Sequence, residues 1–172
     1  MVGNHPYVKW AIECIENYVK YGRKIEIKED LPEELYTRKA ACFVSLHTIY
    51  GDLRGCIGTI EPIYENLATE IRENAIAAAT RDYRFEPVSA DELNDIEVSV
   101  DVLSEPEYVE SIEELDPNIY GIIVVSGFKK GVLLPALDGV NTVEEQLRIA
   151  KLKAGIYSEP YEIYRFTVER YF

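Results

Sequence analysis

Histidine and cysteine are scarce in this chain, two of one and three of the other among 172 residues. Cys14, Cys42 and Cys56 are widely spaced, odd in number and form no CxxC pair, and only His5 and His47 could add imidazoles. No zinc set and no HExxH helix follow from them, so no metal is expected. Cys14 sits in a helical apolar pattern and Cys42 opens a strand pattern, so both read as inert buried thiols. Apolar runs are short as well: residues 122–125 and 132–134 are separated by Lys129 and Lys130, far below the roughly 20 residues a membrane helix needs. Residues 1–6 contain no basic region leading into an export segment. A soluble, intracellular (cytoplasmic) protein without a membrane segment is expected.

Positive charge is also in deficit, with 18 Lys and Arg against 31 Asp and Glu and a formal net charge of −13. Residues 86–116 hold twelve acids and no Lys or Arg, which predicts one acidic flank on an otherwise balanced surface. Such a flank repels phosphate backbones and excludes broad direct nucleic-acid binding, while leaving room for a local pocket that takes a small anion. Nucleotide signatures are missing too. The stretch Gly127-Phe128-Lys129-Lys130-Gly131 lacks the GxxxxGK[ST] order and reads as a hairpin turn, no dinucleotide fingerprint occurs, and no cofactor is expected.

What remains is 47% hydrophobic, enough for one sizeable core or two closely joined lobes, read here as a single domain over residues 1–172. Val8, Ala11, Ile12, Ile15 and Val19 make the apolar stripe of a helix from about Pro6 to Tyr21, stopped by Gly22. Residues 23–35 read as a connection with a short strand near Ile25 to Ile27. Alternation predicts strands over 41–50 and 53–60, joined by a turn at Tyr50-Gly51-Asp52. Pro62 opens a helix whose stripe runs from Ile63 to Ala79. Ser89 with Glu92, and Thr142 with Glu145, have the spacing of capped helix starts. Residues 96–102, 120–125, 131–134 and 161–171 read as further strands. Helices and strands mix without a regular crossover repeat, giving an α+β fold with an antiparallel or mixed sheet flanked by helices.

The segment Leu53-Arg54-Gly55-Cys56-Ile57-Gly58-Thr59 is the one place where chemistry concentrates. Strand alternation puts Arg54 and Cys56 on one face, and two glycines leave room for a close neighbour. A two-residue hairpin loop brings His47 to that face, opposite Arg54 or opposite Cys56 according to the register; a bulge reverses the relation. Two readings fit Cys56: a thiolate stabilised by Arg54, nucleophilic with His47 as its base, or a small thiol filling a narrow strand. Ser45 lacks the GxSxG setting and reads as an ordinary strand residue. Arg84, at the exit of the alanine-rich helix, suits carboxylate or phosphate recognition or helix-dipole compensation, and Asp82 and Glu86 oppose an open phosphate site unless they hold the arginines in place. Glu97 points away from the Val98 stripe and reads as an arginine anchor or a solvated acid.

The same heptad strongly resembles that of the AMMECR family, named for the Alport syndrome, mental retardation, midface hypoplasia and elliptocytosis chromosomal region. The resemblance continues through Glu61-Pro62, Glu73-Asn74-Ala75, Asp82-Tyr83-Arg84-Phe85, Glu97-Val98-Ser99-Val100, Gly131-Val132-Leu133-Leu134-Pro135, Lys153-Ala154-Gly155 and Tyr164-Arg165-Phe166, nearly the whole chain. Tyr83 and Glu86 stand where many relatives carry Pro. The resemblance implies a compact two-lobed α/β protein, a site near Arg54 and Cys56, and Arg84 and Glu97 as carry-over candidates. Related domains fused to or near Memo-like and radical SAM proteins imply a small-molecule or nucleic-acid modification process. Partner expectations are a small anionic ligand, or a protein met through the acidic 86–116 surface, including an RNA-related complex. A third reading makes the heptad mainly a shaped hairpin.

Overall fold

The computed structural model describes residues 1–172. The chain divides into two compact units, one formed by Met1–Val102 with Glu169–Phe172 and the other by Leu103–Val168. Each is an antiparallel sheet flanked by helix, and the fold is α+β.

The first unit holds helix α1 (Pro6–Tyr21), the short α2 (Glu33–Thr37), strands β1 (Cys42–Thr48) and β2 (Leu53–Gly58), helix α3 (Leu67–Thr80), a 3₁₀ turn (Ala90–Asp95) and strand β3 (Ile96–Leu103). Helix α1 starts with Pro6 behind a His5 cap and stops at Gly22, whose φ of 66° disfavours any residue with a side chain. Its stripe and that of α3 bury Val8, Ala11, Cys14, Ile15, Leu67, Ile71 and Ala75 against one face of the sheet. That face is one alternating set of strand residues: Cys42, Val44 and Leu46 from β1, Val98, Val100 and Val102 from β3. Trp10, 1% exposed, satisfies its indole N–H on the Ala68 carbonyl at 2.9 Å and so locks α1 to α3.

The second unit holds β4 (Glu107–Val109), a 3₁₀ turn (Ile112–Glu114), β5 (Gly121–Ser126), β6 (Lys129–Leu133), helix α4 (Val143–Ala154) and β7 (Glu162–Phe166). Its sheet order is β4-β7-β5-β6, and α4 buries Leu147 and Ala150 on β5 and β6. The last strand, β8 (Val168–Tyr171), completes the other sheet, whose order is β2-β1-β3-β8.

Three expectations need correction, and one alternative left open by the sequence is decided. Residues 25–27 form no strand, and the segment folds instead into α2 a few residues on, where Leu35 is fully buried. Helix α3 begins at Leu67 behind an Asn66 cap, not at Pro62, and Ile63 is exposed. The reason is Glu70, whose buried carboxylate accepts the N–H groups of Ile63 and Tyr64 and the Thr59 hydroxyl, holding 59–64 as a loop. Residues 161–171 break at Thr167 into strands of two different sheets. Finally, the β1–β2 hairpin carries a bulge: Ser45 pairs with Cys56 and Leu46 with Gly55, but His47 then pairs with Leu53.

Candidate functional site

The bulge leaves Arg54 as the extra residue of β2, without a partner on β1. Gly55 beside it is required by contact. A Cβ there would meet the Ala78 carbonyl oxygen at 2.3 Å, so β2 lies directly against the last turn of α3. This close approach brings the residues that follow α3, Asp82 to Phe85, alongside Cys56.

Strand β2 is an edge, so the outward backbone groups of Cys56 have no strand to pair with. Side chains take that place. Asp82 Oδ2 accepts the Cys56 N–H at 2.9 Å, and Arg84 Nη2 donates to the Cys56 carbonyl at 3.4 Å. The two are joined to each other by a fork, Arg84 Nε to Oδ1 at 2.9 Å and Nη2 to Oδ2 at 2.6 Å. The Arg84 guanidinium, with the Cys56 and Arg84 N–H groups, holds the Asp82 carboxyl well below the ordinary carboxylate range despite its burial.

Arg54 is clamped in the same way by Glu92, at 2.8 and 3.0 Å. Glu92 also accepts the Ser89 N–H as the reciprocal half of a capping box, and Arg54 first, then Ser89, lower its pKa to about 2. The Phe85 ring is near both guanidiniums, with the Arg54 and Arg84 Cζ atoms 6.0 and 5.5 Å from its centre.

The polar face of the sheet, opposite the helices, completes the arrangement. Ser45 and Cys56 face each other across the ladder, and Ser45 Oγ donates to Cys56 Sγ at 3.2 Å. Ser99 follows across from Ser45 on β3, and Asp101 two residues on accepts a third fork, from Arg170 of β8, at 2.6 and 2.9 Å. Burial pushes the Cys56 thiol above its ordinary pKa, and the Ser45 hydroxyl and Arg84 pull it partly back. Cys14 and Cys42 are fully buried, and burial raises both.

The structure therefore brings Cys56 together with Arg84, and places Arg54 on the adjoining Glu92. The expected Arg54–Cys56 coupling is replaced by an Arg84–Cys56 one, because the bulge takes Arg54 out of register. His47 lies next to Leu53 and Glu97, and Ser45, read as an ordinary strand residue, occupies the position across from the thiol. Glu97 is exposed and pairs with Val2 and His47 along the backbone; the arginine anchors are Asp82, Glu92 and Asp101 instead. Asp82 was legible as a brace. Arg170 and Asp101 were not, though a buried-strand Asp two positions from Ser99 and a late Arg are the signal such a pair leaves. Glu107 pairs with Arg165 and Glu114 caps its own turn, so the acids of 86–116 are partly consumed internally. No group of three or more His, Cys, Asp or Glu stands at a spacing that would hold a metal ion, and no helix is long and apolar enough to cross a membrane.

The AMMECR1 family model matches residues 8–171. A Thermotoga maritima protein is 65% identical over 173 residues, covering 99% of both chains. A Clostridium acetobutylicum protein is 55% identical over 96% of this chain, which spans only 36% of that relative. The crystal structure of a Pyrococcus horikoshii protein superposes with a TM-score of 0.87 at 35% identity, covering 95% of this chain and 88% of the other.

Proposed function

The chain belongs to the AMMECR1 family, and on that premise we propose that it recognises a small carboxylate- or phosphate-bearing ligand on the polar face of the β2-β1-β3-β8 sheet, as an intracellular component of a small-molecule or nucleic-acid modification pathway. One observation carries the reading. The side chains of Arg84 and Arg170 are 43% and 44% exposed, yet each is gripped from behind by an aspartate only 2% exposed.

A guanidinium has five N–H groups in a fixed plane, and a carboxylate fork occupies the Nε edge. On Arg170 the opposite edge, around Nη1, stays available to a second pair of oxygens; on Arg84 the second Nη2 hydrogen goes to the Cys56 carbonyl, which leaves the two Nη1 hydrogens as its outward donors. Holding the fork in advance removes rotamer entropy that a loose surface arginine would lose on binding. Each Asp–Arg pair is electrically neutral, so recognition comes from directed N–H donors rather than surplus charge, and it suits planar or tetrahedral oxygens.

Cys56 and Ser45 form the floor between these donors. With its pKa raised, Cys56 meets a ligand at neutral pH as a thiol, and its part is contact rather than attack. A relative in which this chain spans 36% of the length fits a module working beside other activities. An acidic docking face on 86–116 draws less support, since Glu92, Asp101, Glu107 and Glu114 already hold partners.

Calorimetric titration with citrate and with inorganic phosphate tests the reading. Binding is expected for at least one of them, weakened by about tenfold in Arg84→Lys and in Arg170→Lys, which keep the charge and lose the planar edge. Equal binding by both variants and the parent would remove its basis.

A further inference from the structure

A separate recess of ≈ 390 Å³ opens on the second unit, between α4 and the residues that follow it. Part of its lining is core and part is open to solvent. Leu147 and Ile156 are 8% and 2% exposed, whereas Leu152 and Tyr157 are 58% and 72% exposed. Single apolar residues scattered over a surface need no explanation, but these two share one concavity with two core side chains.

The charge on the rim runs against the sign of the molecule. The chain carries −13 overall, yet residues 148–153 hold Arg148, Lys151 and Lys153 and no acid. Two of these cations are already answered: Arg148 is forked on Glu145, and Lys153 Nζ donates to the Val132 carbonyl at 2.9 Å. Lys151 is not. Its Nζ lies 4.6 Å from the centre of the Tyr161 ring, which packs on the core of this unit, and no carboxylate or carbonyl meets it. Helix-dipole compensation accounts for a lysine in a last turn, but this helix end is closed without it. The Gly155 and Ile156 N–H groups cap the Leu152 and Lys151 carbonyls, and Lys129 Nζ donates to the Gly155 carbonyl at 2.7 Å. Glu144, the acid in the lining, stands seven residues earlier on α4, about 10 Å along the helix axis.

An apolar hollow with an unanswered ammonium at one end and an acid at the other selects an amphipathic anion and orients it. A single ammonium is a point charge suited to a monoanion, without the planar fork that favours bidentate oxygens. We propose that this recess binds a small molecule with an apolar body and a terminal carboxylate, its body against Leu152 and Tyr157 and its head at Lys151. Glu144 disfavours the reversed orientation. The site shares no residue with the Arg–Asp face and does not depend on that face binding anything; citrate and phosphate lack the apolar body it requires.

The test is an NMR titration of the full chain with octanoate, with octan-1-ol as the body without the charge, and with acetate as the head without the body. Octanoate shifts the Leu152 methyl and Tyr157 ring signals saturably, octan-1-ol binds about fivefold more weakly, and acetate moves neither signal. Lys151→Met keeps an unbranched stem and removes the ammonium, and it binds octanoate no better than octan-1-ol. Leu152→Asn, a change at an exposed position, weakens octanoate by about tenfold. The proposal is overturned if octanoate leaves these signals unmoved, if octan-1-ol or acetate binds as well as octanoate, or if either variant, folded, binds octanoate like the parent.

Discussion

Arg84 closes a fork on Asp82, two residues before it, and together they do for the open edge of β2 what a neighbouring strand would do: Asp82 accepts the Cys56 N–H and Arg84 donates to the Cys56 carbonyl. A local side-chain pair thus finishes a sheet and at the same time aims an arginine. Asp82→Asn keeps the shape and removes the charge, leaving Arg84 without its fork. The expected loss is about 2 kcal/mol in urea unfolding, discounted because Arg84 is part-exposed. An unchanged midpoint would show that the edge needs no such cap.

Acid stability follows from the same clamps. Asp82 and Glu92 have folded-state pKa values below their unfolded ones, so the stability they contribute is full above about 4.5 and is lost as the pH falls through the folded values. For Glu92 that window runs from the ordinary 4.5 down to about 2. Glu92→Gln is expected to flatten the decline in thermal midpoint across this window and to lower stability at pH 7. Thermal melts at closely spaced acid pH values check both signs.

Thiol chemistry distinguishes Arg84 from Arg54. Cys14 and Cys42 are fully buried, so iodoacetamide on the native protein reports Cys56 alone. Its alkylation is expected to be slow at neutral pH, with an apparent pKa above the ordinary 9.0. Arg84→Gln should raise that value further, whereas Arg54→Gln leaves it in place because Glu92 already answers that charge. A drop in reactivity on loss of Arg54 would restore the pairing that strand alternation suggests.

Gly55→Ala tests the close approach beneath the site. The new Cβ would lie 2.3 Å from a backbone oxygen of α3, which no side-chain rotation relieves. A loss of about 3 kcal/mol is expected by chemical denaturation, against less than about 1 for Cys56→Ser. Near-neutral behaviour of Gly55→Ala would mean that α3 shifts freely away from β2.

Much of this was legible in the chain. Periodicity marks α1 and α4 because each buries one face, β3 is marked by the alternation of its valines with polar residues although all of it but Glu97 is buried, and the Ser89–Glu92 spacing marks its capping box. The start of α3 was not legible, since what delays it is a buried Glu70 reaching back over the loop, a contact absent from any local pattern. The break at Thr167 is hidden for a similar reason: alternation continues across it while the strand changes sheets. Within the site, Arg54, Cys56 and Arg84 stand out by residue type, but their partners do not. A single bulge after Leu46 decides which arginine meets the sulfur, and Asp101 with Arg170 are sixty-nine positions apart in sequence.

The most direct measurement of the central claim follows the arginine Nε–H signals by 15N NMR during titration with citrate and inorganic phosphate. The signals of Arg84 and Arg170 should move together and saturate at one ligand concentration, with Arg148, whose fork to Glu145 lies on the α4 surface, unmoved as the control. Movement of Arg148 to the same extent, or no saturable movement of Arg84 and Arg170, would contradict an anion site on this face.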